Sequence, residues 1–352
     1  MSPAIHNEPL LLSVIVPARN EAECLGDCLT SLTAQSENGF ALGVDWELLC
    51  VDDASMDATR SIAKSFTGVT VLEAPLLAEG WTGKSAAVWF AAQQARGAVL
   101  LFTDADTVHQ PGGLRRALHE LEKYDAAMLS YSPRQIVRGF WQRALMPLVF
   151  SELAVMYPPA VVSDPATPAA AANGQFLMVE REAYFSVGGH SAVAAAVLED
   201  VALARRFKRK GLRIRFRYAA DAVAARMYRS LGAMVEGWTK NLALLFPLPM
   251  LMALMRLLDF CLIVGIPLLF WLLPHVMLMA NSQRYALALV WVWVLFRYFR
   301  RVAKSNFSAV DCLLSVAGLP LFVALLLRSW MHHTLHGRVS WKGREYPSAK
   351  GK

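Results

Sequence analysis

From Leu242 to Trp330 the chain is dominated by Leu, Val, Met, Phe and Trp, whereas residues 1–240 read as an ordinary water-soluble α/β sequence. That asymmetry constrains the fold more than any single motif. About 20 apolar residues suffice to cross a bilayer, and the candidate spans are 257–280, 285–299 and 309–327. The stretch 242–255 is interrupted by Pro247 and Pro249 and reads as interfacial or re-entrant. Residues 331–352 form a basic tail. Two spans place the basic stretch 297–304 on the side where the chain began, as the bias of Lys and Arg toward the cytoplasm favours. A full third crossing would put the tail on the other side, and the sequence leaves that choice open. The opening "MSPAIHNEPL" has no basic start followed by an apolar core, so no secretory signal is expected.

The 352 residues are 55% hydrophobic and only 18% charged, which is the apolar tail showing through. Thirty-five basic and 28 acidic residues give a net charge of +7. The basic residues cluster at 205–217, at 297–304 and in the tail, where anionic lipid headgroups are the expected counterpart. No basic platform interleaved with aromatics accompanies them, so nucleic acid is not the expected partner. The cysteines at 24, 28, 50, 261 and 312 lack metal-ligand spacing and read as reduced thiols.

Before residue 110 short β-branched runs alternate with helical patterns. "LLLSVIV" (10–16), "WELLCVD" (46–52), "VTVLEA" (69–74) and "AVLLFTD" (98–104) read as strands. Helices are expected between them, through Ala22, Leu25, Leu29 and Leu32, then at 57–66 and 85–95. Such alternation predicts βαβ units and a mostly parallel sheet, in which ligands bind beyond the carboxyl ends of the strands. Those ends carry "PARNE" (17–21), "VDDASMDAT" (51–59), "EGWTGKSAA" (79–87) and "DADT" (104–107). Each alone reads as a turn or a helix cap, Asp57 being a candidate cap. Together, on one edge of a sheet, they define a candidate site.

Asp104 and Asp106, one residue apart at the mouth of a buried strand, repel each other unless a cation lies between them and a phosphate. Mg2+ and Mn2+ take oxygen ligands, often one or two carboxylates plus substrate phosphate. Three readings follow. D-x-D-x-V after a strand also occurs in phosphohydrolases of the haloacid-dehalogenase type, with the first Asp as nucleophile. There the motif sits on the first strand, here on the fourth, and no later acidic partners are evident. A non-catalytic nucleotide-sugar-binding membrane protein is a further alternative.

The third reading rests on five motifs in order. From residue 11 to about 241 the sequence resembles the family 2 glycosyltransferases, of the A-type nucleotide-sugar-binding fold. It carries Pro17 to Glu21, then Val51, Asp52, Asp53, Ser55, Asp57 and Thr59. Gly83, Lys84 and Ala87 follow, then Asp104 and Asp106, then Glu199-Asp200. "EGWTGKSAA", "NGQFLMVERE", "YRSLGAMVEGWTKN" and "WKGREY" resemble the hopanoid-biosynthesis-associated (HpnB-type) branch. The resemblance implies a cytosolic catalytic domain over 1–241, with a nucleotide-sugar half at 10–110 and an acceptor half at 111–241. It is followed by membrane helices in a multi-pass inner-membrane protein.

The implied reaction moves one sugar, with inversion, from a nucleoside-diphosphate sugar (UDP the commonest carrier) to a lipid hydroxyl. By the resemblance, Asp106 and Asp104 hold Mg2+ or Mn2+, while Pro17, Arg19, Glu21 and Asp53 line the nucleotide pocket. Lys84 meets phosphate at a helix start, and Asp200 is the base. As simple helix-terminal charges, Glu199 and Asp200 would also suit the start of "VALARRFKRK". Arg226, Arg229, Trp238 and Lys240 stand in place of the Q/R-x-x-R-W motif of processive synthases, and Arg229 is the expected diphosphate contact. That departure points to single-sugar transfer. The stretch 139–157 is expected either to lie on the membrane surface or to cover the sheet. His190, in "GGH", is expected to make only structural hydrogen bonds, with a place on the acceptor side as the alternative.

Overall fold

The computed structural model describes residues 10–272, 280–341 and 343–347. The opening decapeptide up to Pro9, the end of the candidate span 257–280 and the last residues of the basic tail lie outside the described residues. The chain divides into two compact units, one of residues 1–136 and 159–227, the other of 137–158 and 228–352.

The first unit is built on seven strands: β1 (Leu10–Ala18), β2 (Trp46–Asp52), β3 (Val69–Glu73), β4 (Gly97–Phe102), β6 (Met128–Ser132), β8 (Leu177–Glu180) and β9 (Ile214–Tyr218). They lie in the order β3-β2-β1-β4-β8-β6-β9. All neighbours pair parallel except β8, which runs antiparallel to both β4 and β6. In β1, Leu12, Val14, Ile15 and Val16 are fully buried, as expected of a parallel strand covered on both faces. Helices α1 (Leu25–Thr33), α2 (Thr59–Lys64) and α3 (Gly83–Gln94) are the crossovers linking β1 to β4. Leu25, Cys28, Leu29 and Leu32 form the buried stripe of α1 against this core. A small sheet joins β5 (Thr107–His109), β7 (Arg134–Gln135) and β10 (Val223–Ala225), with β10 in the middle. Between β5 and β6 lies α4 (Gly113–Lys123). The α/β fold with a mostly parallel sheet is as the sequence predicts; the reversed strand β8 is not evident from its letters.

The second unit is helical: α5 (Gly139–Met156), α9 (Leu231–Leu245), α10 (Pro249–Leu272), α11 (Asn281–Val302) and α12 (Ala309–Met331). Residues 249–255 are the first turns of α10 and not a separate piece, with Pro249 at the first helical position, where its missing N–H costs nothing. Among the described residues two helices are long and apolar enough to cross a membrane, α10 and the helix running from Ala309 to His336. The third candidate, 285–299, lies in α11, which carries Arg284, Arg297, Arg300 and Arg301.

These helices are inside-out by the standards of a soluble bundle. α10 buries Arg256 and Asp259 and exposes Leu254, Leu257 and Leu258. The buried charges form a chain across three helices. Arg301 grips both oxygens of Glu152 at 2.6 and 2.8 Å, and Arg256 lies 3.4 Å from Glu152 and 2.9 Å from Asp259. Arg297 pairs with the other oxygen of Asp259.

Candidate active site

Two strand-end loops are tied directly to each other. Arg19 Nη1 donates to the carbonyl of Asp53 at 2.6 Å, and the Asn20 N–H to Ser55 Oγ at 3.0 Å. The Glu21 N–H donates to Thr59 Oγ1 at 2.8 Å and the Ala22 N–H to Asp57 Oδ2 at 3.1 Å. Ser55, Asp57 and Thr59 therefore use their side chains to hold "PARNE". Asp57 also accepts the Thr59 N–H at 3.0 Å in an Asx-type turn, but it does not cap α2, whose N-cap position is Ala58 without a side-chain cap. Burial raises the Asp57 carboxyl, but hydrogen bonds from Thr59 and Ala22 outweigh it and hold it below the ordinary carboxylate range.

The "DADT" turn is fixed from beneath. Thr107 Oγ1 donates to the Asp104 carbonyl at 2.7 Å, and Thr103 Oγ1 donates to the Gln175 carbonyl at 2.8 Å. His109 Nε2 lies 3.1 Å from Thr103 Oγ1 and 3.2 Å from Thr107 Oγ1. Burial drives its imidazole down to about 3, so it is a neutral hydrogen-bonding group. The Asp106 carbonyl accepts the Arg226 N–H at 3.1 Å.

Lys84 links three elements. Thr82 caps α3 by accepting the Ser85 N–H at 3.3 Å, which places Lys84 in the first helical turn. A cation there opposes the helix dipole and needs anionic partners. It has two: Nζ is 2.8 Å from Asp104 Oδ1 and 2.9 Å from Glu199 Oε1. Burial lowers the lysine's proton affinity, but Asp104, Glu199 and Asp200 together hold it well above the ordinary lysine range. Glu199 and Asp200 open helix α8 (Glu199–Arg209), so they are first-turn charges as well as pocket groups.

Asp200 accepts the Val201 N–H through Oδ1 at 2.7 Å and the Gly174 N–H through Oδ2 at 2.8 Å. Its carboxyl is nonetheless pushed up to about 6, by burial first and then by Glu199, with Lys84 and both amides pulling the other way. Gly174 leaves room for the Lys84 ammonium in its place between the carboxylates. A Cβ there would lie 2.9 Å from Lys84 Nζ, 3.5 Å from Asp200 Oδ2 and 3.6 Å from Glu199 Oε1.

Pro17, Lys84, Asp104, His190, Glu199 and Asp200 line one pocket of the first unit, off the carboxyl ends of β1 and β4. Four of these, Pro17, Lys84, Asp104 and Asp200, are expected from the sequence. Arg19, Glu21 and Asp53 sit in the two tied loops, and Asp106 in the "DADT" turn. Arg229 belongs to the second unit, in the bend before α9. Glu199 as the partner of Lys84, Gly174 and the pocket position of His190 are not evident from the sequence. Glu199 is legible only as half of the Glu199-Asp200 motif, and Gly174 and His190 only in "NGQF" and "GGH".

The donor chemistry suits a hard divalent cation. Asp104 and Asp106 offer hard carboxylate oxygens, while burial keeps the neighbouring Cys28 a protonated thiol. Among the described residues no group of three or more His, Cys, Asp or Glu is arranged to hold a metal. One or two carboxylates are what a Mg2+ site commonly takes from a protein, the rest of its shell coming from substrate oxygens and water.

Residues 13–183 match the family model described as Glycosyl transferase family 2. The 4,4'-diaponeurosporenoate glycosyltransferases of Staphylococcus aureus strains MRSA252 and USA300 are each 27% identical over 349 residues, 96% of this chain and 89% of theirs. A mannosyltransferase of Pyrobaculum calidifontis, solved with GDP-Man and Mn2+, shares the fold with a TM-score of 0.52 at 16% identity, over 94% of this chain and 90% of that one. The D-x-D of the phosphohydrolase reading thus lies inside a glycosyltransferase domain. Residues 13–183 thus resemble a family 2 glycosyltransferase domain, on a fold of the A type, and the chain is an enzyme of the glycosyltransferase class.

Proposed function

We propose that this enzyme transfers one sugar, with inversion, from a nucleoside-diphosphate sugar to a lipid acceptor at the cytosolic face of the inner membrane. The observation that carries the reading is the cluster of Lys84, Asp104, Glu199 and Asp200 in one pocket of a family 2 domain. Pro17 lines the same pocket, and Arg19, Glu21 and Asp53 hold the nucleotide from the adjoining tied loops. Lys84, already poised between carboxylates, turns to the diphosphate. A divalent cation held by Asp106 and Asp104 would offset the negative charge that grows on the leaving diphosphate.

Asp200 takes the proton of the acceptor hydroxyl. At about 6 its carboxyl is ionised at neutral pH, yet more basic than an ordinary aspartate. Its two backbone hydrogen bonds fix its orientation, so the base does not have to be ordered during the reaction.

The lipid acceptor is supported by two observations. The second unit exposes apolar faces on α10 and α12, including Leu254, Leu258, Val310 and Leu313, while burying Arg256, Asp259 and Asp311. The Staphylococcus relatives are named for a carotenoid acceptor. A hopanoid or polyisoprenoid alcohol fits the HpnB-type resemblance. In this reading UDP is the carrier, the second unit is a multi-pass anchor, and the Arg–Glu chain is its buried polar seam.

A donor screen tests the proposal. Purified full-length protein with Mn2+ or Mg2+ and a membrane lipid extract should release nucleoside diphosphate from one sugar donor and label a lipid. Release of inorganic phosphate from phosphoesters, with no lipid labelling, would overturn it.

A further inference from the structure

The pocket contains a residue that the reading above does not use. His190 is 2% exposed and lies among Lys84, Asp104, Glu199 and Asp200. Among the described residues its side chain hydrogen-bonds to Tyr184. The Tyr184 hydroxyl accepts the His190 backbone N–H at 3.1 Å and lies 2.8 Å from His190 Nδ1. Tyr184 is fully buried, and among the described residues Nδ1 is the acceptor within reach of its one hydroxyl proton, which assigns the donor role in this pair to the tyrosine. With Nδ1 accepting, the ring's own proton sits on Nε2. Burial lowers the imidazole to about 4, so the ring is neutral in working conditions. The result is a single uncharged N–H on a ring that lines the pocket.

The ring is held with unusual firmness. Gly188 and Gly189 both have left-handed φ, +85° and +52°, and a Cβ at Gly189 would lie 2.6 Å from both Trp89 and Tyr184. The "GGH" turn thus presses the chain onto the aromatic pair that locks the imidazole. Phe102 packs edge-on against His190 at 5.0 Å between centroids. A phenylalanine at 190 would fill this space with no polar atom, so space-filling alone does not call for the nitrogen pair.

We propose that His190 donates its Nε2–H to a hydroxyl of the transferred sugar and so acts as a sugar-specificity residue, with Tyr184 as its positioning residue. This rests on the glycosyl-transfer reading. A donor that reaches from Asp104, on the diphosphate side, to Asp200, on the acceptor side, spans the pocket with its sugar, and His190 lines that pocket. A sugar hydroxyl oxygen is an acceptor that this N–H can serve. A neutral donor also discriminates among hydroxyl patterns without competing with Lys84 for the diphosphate.

The test is calorimetric binding of UDP, UDP-glucose, UDP-N-acetylglucosamine and GDP-mannose to the full-length protein with Mn2+, for wild type, His190→Phe, His190→Gln and Tyr184→Phe. For the sugar nucleotide that wild type binds best, His190→Phe should weaken binding by about tenfold or more and leave the free nucleoside diphosphate within about twofold. His190→Gln, which keeps an N–H, should recover most of the loss. Tyr184→Phe, which releases Nδ1, should lose roughly threefold to tenfold for the sugar nucleotide alone. The loss in His190→Phe should vanish with the one deoxy-sugar analogue that lacks the contacted hydroxyl.

Equal loss for the sugar nucleotide and the free diphosphate in every folded variant would make His190 structural and overturn the proposal, as would unchanged binding. Should His190→Phe fail to fold, Tyr184→Phe and His190→Gln decide by the same comparison. Wild-type protein that binds no nucleoside-diphosphate sugar would overturn the glycosyl-transfer reading and this one with it. Wild-type binding with unaffected variants overturns this one alone.

Discussion

The ammonium of Lys84 stands 2.8 Å from Oδ1 of Asp104, joining the start of α3 to the end of β4 across the mouth of the pocket. The same ammonium lowers the proton affinity of Asp200, against burial and Glu199, which raise it. Replacing Lys84 by Met therefore releases Asp200 upward. The acid limb of the pH–rate profile should move to higher pH, and residual activity at pH 7 should fall by more than about tenfold. An unshifted limb in the variant would show that Lys84 and Asp200 do not communicate.

In the wild type, Asp200 must be deprotonated to accept a proton, so activity is present above its pKa and lost below it. Turnover should fall as pH drops through about 6, by roughly tenfold per further unit. An acid limb in the range of an ordinary aspartate would mean that the base is better solvated than the structure shows.

Gly174→Ala places a methyl 2.9 Å from Lys84 Nζ and 3.5 Å from Asp200 Oδ2. The atom displaced is the tip of a flexible side chain, so the fold should tolerate the change, with Tm shifted by only ~4 °C or less. Turnover should drop by about tenfold or more, because the displaced group is part of the site. A stable, fully active variant would remove Lys84 from the chemistry.

In the second unit, Arg256 stands between Glu152 and Asp259 with 2% of its surface exposed. Removing one partner of a buried ionic network leaves uncompensated charge, at a cost of ~3–5 kcal/mol. Arg256→Leu should lower stability by that order, measured by denaturant unfolding in detergent. A cost below about 1 kcal/mol would mean that water reaches the seam.

The first four strands and their helices are legible because a run such as "LLLSVIV", bounded by polar loops, has no other stable use. The reversed strand β8 is not, since "FLMVE" is equally apolar whichever way it runs. Within the site, Pro17, Lys84, Asp104 and Asp200 can be found from motif order and strand ends. The tie between "PARNE" and "VDDASMDAT" cannot, because a polar side chain that meets a backbone amide reads the same as one that meets a ligand. Ser55, Asp57 and Thr59 are spent on that tie. Glu199 and His190 escape for a related reason: their roles come from long-range packing that brings α8 and the "GGH" turn to one pocket.

The account's central claim is that Asp200 is the base of a glycosyl transfer. Asp200→Asn keeps the side chain's size and can accept one of the two amide bonds, which in the wild type run from Val201 to Oδ1 and from Gly174 to Oδ2. The decisive measurement compares the two proteins, each with the sugar donor found for the wild type, Mn2+ and lipid acceptor, for donor affinity and for nucleoside diphosphate released per enzyme. The account predicts donor affinity within about threefold of wild type and turnover lower by ~10²–10⁴. Turnover within about threefold of wild type would contradict it.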